Sequence, residues 1–164
     1  MRVLVAPDKF AGTLTAVEAA EAIAEGWRRA TADEVSIVPM ADGGPGFVDV
    51  LHTAIGGEIL AVTVRGPLGG PVPATLRVAD GTAYIEAAQA CGVSLLPVAG
   101  TAPVRGVVED ASTYGVGELV AEAVAAGARK IVVGLGGSGT NDGGAGLLAA
   151  LGATSEPPGG LTAG

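Results

Sequence analysis

KIVVGLGGSGTNDGGAGLLAALG, residues 130–152, is the stretch whose reading decides the fold. Ile131, Val132 and Val133 form a short β-branched run bounded by Gly134, the pattern of a buried strand. AGLLAALG at the far end is a helix-forming run closed by Gly152. Between them Gly134, Gly136, Gly137, Gly139, Gly143 and Gly144 are interleaved with Ser138, Thr140, Asn141 and Asp142. Strand, glycine-rich turn and helix form the layout in which backbone N–H groups and a helix N-terminus hold an anion, usually a phosphate. Gly136, Gly137, Ser138, Thr140, Asn141 and Gly143 are therefore candidate phosphate or substrate contacts. Asp142 fits such a nest only through a cation, because a carboxylate repels a phosphate; it suits a Mg²⁺ ligand or a group facing a substrate hydroxyl. The structural alternative is that the glycines permit tight turns while Asn141 or Asp142 caps the helix. No Gly-Lys-Ser/Thr follows, so this is not a Walker loop, and GLGGSG only approaches GxGxxG.

Working outward, the same grammar recurs. Residues 1–7 (MRVLVAP) read as a buried strand, and Thr15-Ala16-Val17-Glu18 is a capping box opening a helix to about Arg29. That helix carries Val17, Ala20, Ile23, Ala24 and Trp27 on one face. Asp8 and Lys9 follow the first strand, where ligands of open α/β sheets bind. Residues 35–39 form a second strand, followed by Asp42-Gly43-Gly44 and a helix over residues 47–55. Asp42-Gly43-Gly44 repeats Asp142-Gly143-Gly144 in the same setting, which marks both turns as candidate site elements. From Glu58 the pattern changes to short strands joined by PLGG and DG turns, an antiparallel meander. Glu86 ends the third of these strands, facing either a cleft or a sheet edge. Residues 97–111 read as a loop with Arg105 isolated in it. Ser112 or Thr113 caps a helix that Gly127 ends; Gly115 and Gly117 at its start permit close approach of a ligand or of packing neighbours. Residues 154–164 read as a linker or frayed end.

The expected organisation is a parallel βα lobe of residues 1–57 and 105–153, with an inserted antiparallel lobe at 58–97. Composition supports an α/β class. Hydrophobic residues make up 49% of the 164 and charged ones only 16%, which excludes disorder. The net charge of −8 argues against a nucleic-acid backbone or an anionic membrane as partner. One cysteine, Cys91, precludes an intramolecular disulfide, and one histidine, His52, removes histidine-rich metal sites. No apolar run reaches membrane-spanning length, and a cytoplasmic protein is the simplest expectation.

Taken together, APDKFAGTLTAVEAAEAIAEG, ADGGPGFVDVL, TVRGPLGGPVPA, STYGVGELV and GLGGSGTNDGGAGLLAALGA resemble the bacterial glycerate kinase family. They occur in that family's order and cover the chain to about Ala153. The resemblance implies two α/β lobes, one doubly wound and flavodoxin-like, the other smaller with a mixed sheet, with the active site between. It also implies ATP and Mg²⁺ as cofactors and D-glycerate as the small-molecule substrate. Asp42, Asp142 and Lys9 are then the expected catalytic residues, with Asp142 also holding metal. Asp8, Gly43, Gly44 and the polar loop residues named above would contact substrate or phosphate, with Arg65 and Arg105 as further cations. The family often has Ser-Phe-Lys-Gly where this chain has Lys9-Phe10-Ala11-Gly12, Glu at Pro45, Thr at Phe47 and Ala at Gly139. Its members also continue for roughly as much chain again. Both lobes are accordingly expected to be incomplete here, with a catalytically silent half-kinase, self-association or pairing with a C-terminal half as the alternative to an active enzyme.

Overall fold

The computed structural model describes residues 1–100, 102–104, 106–156 and 160–162. β1 (Arg2–Val5) leads through a polar loop into α1 (Ala16–Ala30), and β2 (Glu34–Ile37) returns parallel to β1. α1 starts at the expected capping box: Glu18 N donates to Thr15 Oγ1 at 3.1 Å and Thr15 N donates to the Glu18 carboxylate at 2.8 Å. Val5, Ala20 and Ala24 form the small core of this unit, backed by Val3, Val35 and Ile37. The buried face of α1 is narrower than its sequence pattern, since Ile23 and Trp27 stay 45% and 38% exposed. Two strands about 4.8 Å apart are narrower than a helix about 10 Å across, so the flanking large residues overhang the sheet.

α2 (Phe47–Ile55) is followed by the antiparallel meander β3 (Glu58–Arg65), β4 (Pro71–Ala79) and β5 (Thr82–Glu86). Asp80 and Gly81, at φ 49° and 71°, supply the two left-handed positions that a tight hairpin between β4 and β5 requires. Next come α3 (Ala88–Cys91), the hairpin β6 (Val98–Ala99) with β7 (Ala102–Pro103), α4 (Val107–Asp110) and α5 (Tyr114–Ala125). Residues 97–111 thus hold a hairpin and a helical turn rather than a plain loop; Arg105 lies outside the described residues. β8 (Lys130–Gly134) and α6 (Ala145–Ala150) match the strand and helix expected at 130–152. β9 (Thr154–Glu156) pairs antiparallel with β10 (Gly160–Thr162), so the expected linker contains a strand pair.

β8 pairs parallel with β5, from Thr82↔Lys130 to Glu86↔Gly134, and completes a four-stranded mixed sheet of order β3-β4-β5-β8. This pairing differs from the expected division, in which residues 130–134 share a parallel lobe with β1 and β2. β5 has an open edge, and a crossover of more than a dozen residues through α5 is what a parallel return needs. Ile131 and Val133 then pack on the same core as Leu76 and Ile85. α5 covers one face of the sheet, where Val116, Leu119 and Ala123 meet Val64, Leu76, Ala83 and Ile85. Full burial of a Leu or Ile side chain such as Leu76, Ile85 or Leu119 contributes about 1.5–3 kcal/mol. α2 covers the other face, with the Phe47 ring centroid 6.5 Å from that of Tyr84.

Gly115 and Gly117 serve packing. A Cβ at Gly115 would overlap the Arg65 carbonyl oxygen, and one at Gly117 would overlap the Leu147 carbonyl and Ala150. Among the described residues no helix is long and apolar enough to cross a membrane.

Candidate functional site

The parallel pairing of β1 and β2 continues past the strands, with Val38 N donating to Val5 O at 2.8 Å and Met40 N to Pro7 O at 2.9 Å. That ladder carries Asp8 and Lys9 alongside Ala41 and Asp42. Lys9 Nζ lies 3.0 Å from Asp42 Oδ1 and 3.7 Å from Asp8 Oδ1. The hydrogen bond from Lys9 holds Asp42 below the usual carboxylate range, helped by Gly44 N, and the Asp42 bond holds Lys9 above its ordinary value. Both groups are therefore ionised at neutral pH. Asp8 and Lys9 line a hollow of about 540 Å³ between the start of α1 and residues 40–50, with Thr13, Thr15, Met40 and Asp49 among its walls. The hollow sits at the carboxyl ends of parallel strands, where open α/β sheets place ligands.

The repeated tripeptide makes the same local bond twice, although Gly144 takes a positive φ of 84° and Gly44 does not. Asp42 Oδ1 accepts from Gly44 N at 2.8 Å and Asp142 Oδ1 accepts from Gly144 N at 3.1 Å. Gly43 and Gly143 both take positive φ, 85° and 62°, which L side chains avoid. The first turn also touches the long loop directly, since Gly136 N donates to Gly43 O at 3.0 Å. A Cβ at Gly136 would lie 2.6 Å from Gly44 N, so glycine is what lets the two backbones meet.

From there the loop crosses the carboxyl end of the mixed sheet. Gly137 O accepts from Val93 N at 2.9 Å, and Gly139 N donates to Cys91 O at 2.8 Å. Ser138 Oγ donates to Leu135 O at 3.2 Å. Cys91 is buried as a packing residue, and burial pushes its thiol up. The N–H groups of Gly136 and Gly139 are thus taken by protein carbonyls. Gly137, Ser138, Asn141 and Gly143 are exposed, with Thr140 partly so.

Asp142 ends the loop at the start of α5. Its Oδ2 accepts from Thr113 N at 2.8 Å, Thr113 Oγ1 at 2.8 Å and Gly146 N at 3.1 Å, in addition to the Gly144 bond on Oδ1. Burial alone would raise its pKa, but the bonds from Thr113, Gly144 and Gly146 outweigh that and lower it. Thr113 Oγ1 also accepts from Leu147 N at 3.0 Å, so Asp142 and Thr113 together tie α6 to α5. Asp142 is not among the residues lining the hollow beside Lys9. The structure therefore gathers Asp8, Lys9, Asp42, Gly43, Gly44 and Gly136 at one place. It leaves Asp142 and Gly143 at the other end of the loop. Among the described residues no group of three or more His, Cys, Asp or Glu converges as a metal site.

Glu86 is the residue whose position the sequence left open. It is 5% exposed and accepts from Gly46 N at 3.0 Å and Val48 N at 3.4 Å, across 40 and 38 residues of sequence. Burial raises its pKa and these two N–H groups oppose the rise. The available signal was the helix start at Pro45-Gly46, which has no Ser, Thr, Asp or Asn to cap it.

Comparisons with known proteins bear on the same residues. A family model described as the glycerate kinase family matches residues 3–158. The glycerate kinase of Bacillus subtilis is 44% identical over 155 residues, covering 93% of this chain and 39% of that protein. The glycerate 2-kinase of Escherichia coli is 42% identical over 156 residues, covering 93% of this chain and 40% of that protein. Among solved structures, a candidate glycerate kinase 2 from Salmonella typhimurium LT2 matches with a TM-score of 0.75 at 40% identity, over 93% of this chain and 40% of that one. The chain thus spans about 40% of the length of the curated relatives it matches. The turns that meet around Asp42 and Gly136 all fall inside the matched region, and the chain belongs to the glycerate kinase family.

Proposed function

We propose that this chain takes part in transferring the γ-phosphoryl group of ATP to a hydroxyl of D-glycerate, giving a phosphoglycerate. The observation that carries the reading is Lys9, which lines the hollow and is paired with the neighbouring Asp42, inside a region matched by the family model over residues 3–158. Phosphoryl transfer needs charge neutralisation, a positioned hydroxyl and exclusion of water, with little covalent work from the protein. Lys9 supplies the cation, for a phosphate or for the glycerate carboxylate. Asp42, ionised and bound through one oxygen only, orients the acceptor hydroxyl or takes its proton. Asp8 holds the Lys9 backbone N–H through Oδ1 at 2.6 Å, and so fixes the start of the loop. Exposed Gly137, Ser138 and Asn141, with partly exposed Thr140, offer polar contacts along the loop. Because the Escherichia coli relative is a glycerate 2-kinase, the 2-hydroxyl is the acceptor we assign.

Magnesium on ATP needs only one or two protein carboxylates, the rest of its shell being phosphate and water. Asp42, exposed and with Oδ2 outside any hydrogen bond among the described residues, fits that need. Asp142 fits it less well than its sequence suggested, because three donors already converge on its Oδ2. When bound, the ion would offset charge on the phosphates being transferred. The test is ADP release coupled to NADH oxidation, with and without D-glycerate, and ³¹P NMR of the product. The Bacillus subtilis relative serves as positive control. Glycerate-dependent ADP release with 2-phosphoglycerate as product is expected; ATP binding with no glycerate-dependent release overturns the reading.

A further inference from the structure

α2 has no side-chain cap of its own at either end. Its N-cap is Gly46 at φ 95° with no side-chain hydrogen bond, and its C-cap is Gly56 at φ 61°. Helix ends leave N–H or C=O groups without intrahelical partners, partially positive at the N-terminus and partially negative at the C-terminus. Two buried side chains of the mixed sheet meet these groups. Glu86, at the end of β5, accepts from Gly46 N and Val48 N through the same oxygen. Arg77, on β4, donates Nε to Gly56 O and Nη2 to Ile55 O, the latter at 3.2 Å. Arg77 pairs with Tyr84 in the β4–β5 register, and Glu86 lies two residues beyond Tyr84, so all three share the face that α2 covers. Each charge has the sign that the adjacent helix end attracts.

Neither residue forms a salt bridge among the described residues, although Arg77 is 0% and Glu86 5% exposed. Burying an ionic side chain without a counter-charge is costly, so the partner each one has found, a helix end, matters. The Arg77 guanidinium lies 4.8 Å from the Tyr84 ring centroid, and its Nη1 has no hydrogen-bond partner. It is aimed at the helix end, not placed to use all its donors. A helix of nine residues is about 13.5 Å long and too short to hold its place by propensity alone.

We propose that Glu86 and Arg77 form a two-point clamp that sets the position of α2 on the sheet, and through it the position of the Asp42-Gly43-Gly44 turn. They are positioning residues. The first turn of α2 runs on directly from Gly43 and Gly44, and those residues pack against Gly136 with atoms that leave no room for a Cβ. A small slide of α2 therefore moves Asp42 relative to Lys9. The effect on turnover rests on the kinase reading above; the effect on the turn does not.

The experiment uses the whole protein with Glu86→Ala, Glu86→Gln, Arg77→Met and Arg77→Lys. Amide hydrogen exchange and steady-state kinetics are the two readouts. Glu86→Ala is expected to speed exchange at Gly46 and Val48 by about tenfold or more, the equivalent of losing a charge-assisted hydrogen bond. Leu76 and Ile85, inside the sheet, should change by less than about twofold, since their opening is global. Turnover should fall through kcat more than through the KM for glycerate. Glu86→Gln keeps an acceptor oxygen in place without the charge and is expected to restore part of both readouts. Arg77→Met should speed exchange at Gly56, whose N–H is bonded to His52 O, and Arg77→Lys should restore part of it. Unchanged exchange at Gly46 and Val48 in Glu86→Ala would overturn the clamp. So would an equal rise across the sheet, or failure of Glu86→Gln to restore either readout. If the wild-type protein shows no glycerate-dependent ATP turnover, the kinase reading fails, while the exchange data still decide the clamp.

Discussion

Asp142→Asn separates two roles for the same carboxylate. Asparagine can keep its carbonyl oxygen where Oδ2 now collects Thr113 N, Thr113 Oγ1 and Gly146 N. Its amide nitrogen then faces Gly144 N, which now donates to Oδ1 at 3.1 Å, and two donors oppose each other. One hydrogen bond is lost and three lose their charge assistance, which together amount to about 2 kcal/mol. Alanine leaves all four donors without this acceptor and should cost about 3–5 kcal/mol. With a urea m-value of about 2 kcal/mol/M, the midpoints should fall by about 1 M for Asn and about 2 M for Ala. The pH dependence has a definite sign. Because the folded state lowers this pKa, its stabilisation is fully present above the unfolded value of about 3.9 and is lost as pH falls through the folded value. The gap between wild type and Asp142→Asn should therefore be constant near neutrality and close in acid. Urea unfolding followed by circular dichroism at pH 7 and along an acid series measures it. An unchanged midpoint at pH 7 with turnover lost would refute the reasoning, and would assign Asp142 to the reacting site instead of the loop.

Three further outcomes follow from contacts already described. Gly136→Ala places a methyl group 2.6 Å from Gly44 N, so thermal unfolding should show a loss of about 1–3 kcal/mol, together with reduced turnover. A near-isothermal variant with full activity would mean the two turns do not depend on that approach. Lys9→Met removes the cation beside Asp42 at the hollow; isothermal titration should show ATP or glycerate binding weakened at least about tenfold, and more at low salt than at high. Thr15→Ala deletes one half of the α1 capping box and should cost about 1 kcal/mol by chemical denaturation.

Local order was legible in the chain. The Thr15–Glu18 box, the helix over 47–55, the meander from Glu58 and the strand-loop-helix at 130–152 each rest on interactions between residues a few positions apart, or on a period that needs no partner. The repeated Asp-Gly-Gly turn was legible for the same reason, since an Asp side chain bonding the N–H two residues on is a local event. The parallel βα character of the first two strands was likewise expected, and the contact of Lys9 with Asp42 at their carboxyl ends came with the structure.

What each element meets was decided only in three dimensions. The composition of Ile131-Val132-Val133 announces a strand, yet nothing local says whether it joins β1 or β5; that choice belongs to the open edge of β5 and the core beneath α5. Asp42 and Asp142 carry the same tripeptide, but one is paired with Lys9 and the other is held by Thr113 and Gly146. The sequence left Glu86 open between a cleft and a sheet edge and gave no sign of a role for Arg77; both are defined by α2 lying across them. Periodicity and turn chemistry act over a few residues and so are written in the chain, whereas the partner of a buried charge is fixed by packing between segments some 20 to 40 residues apart.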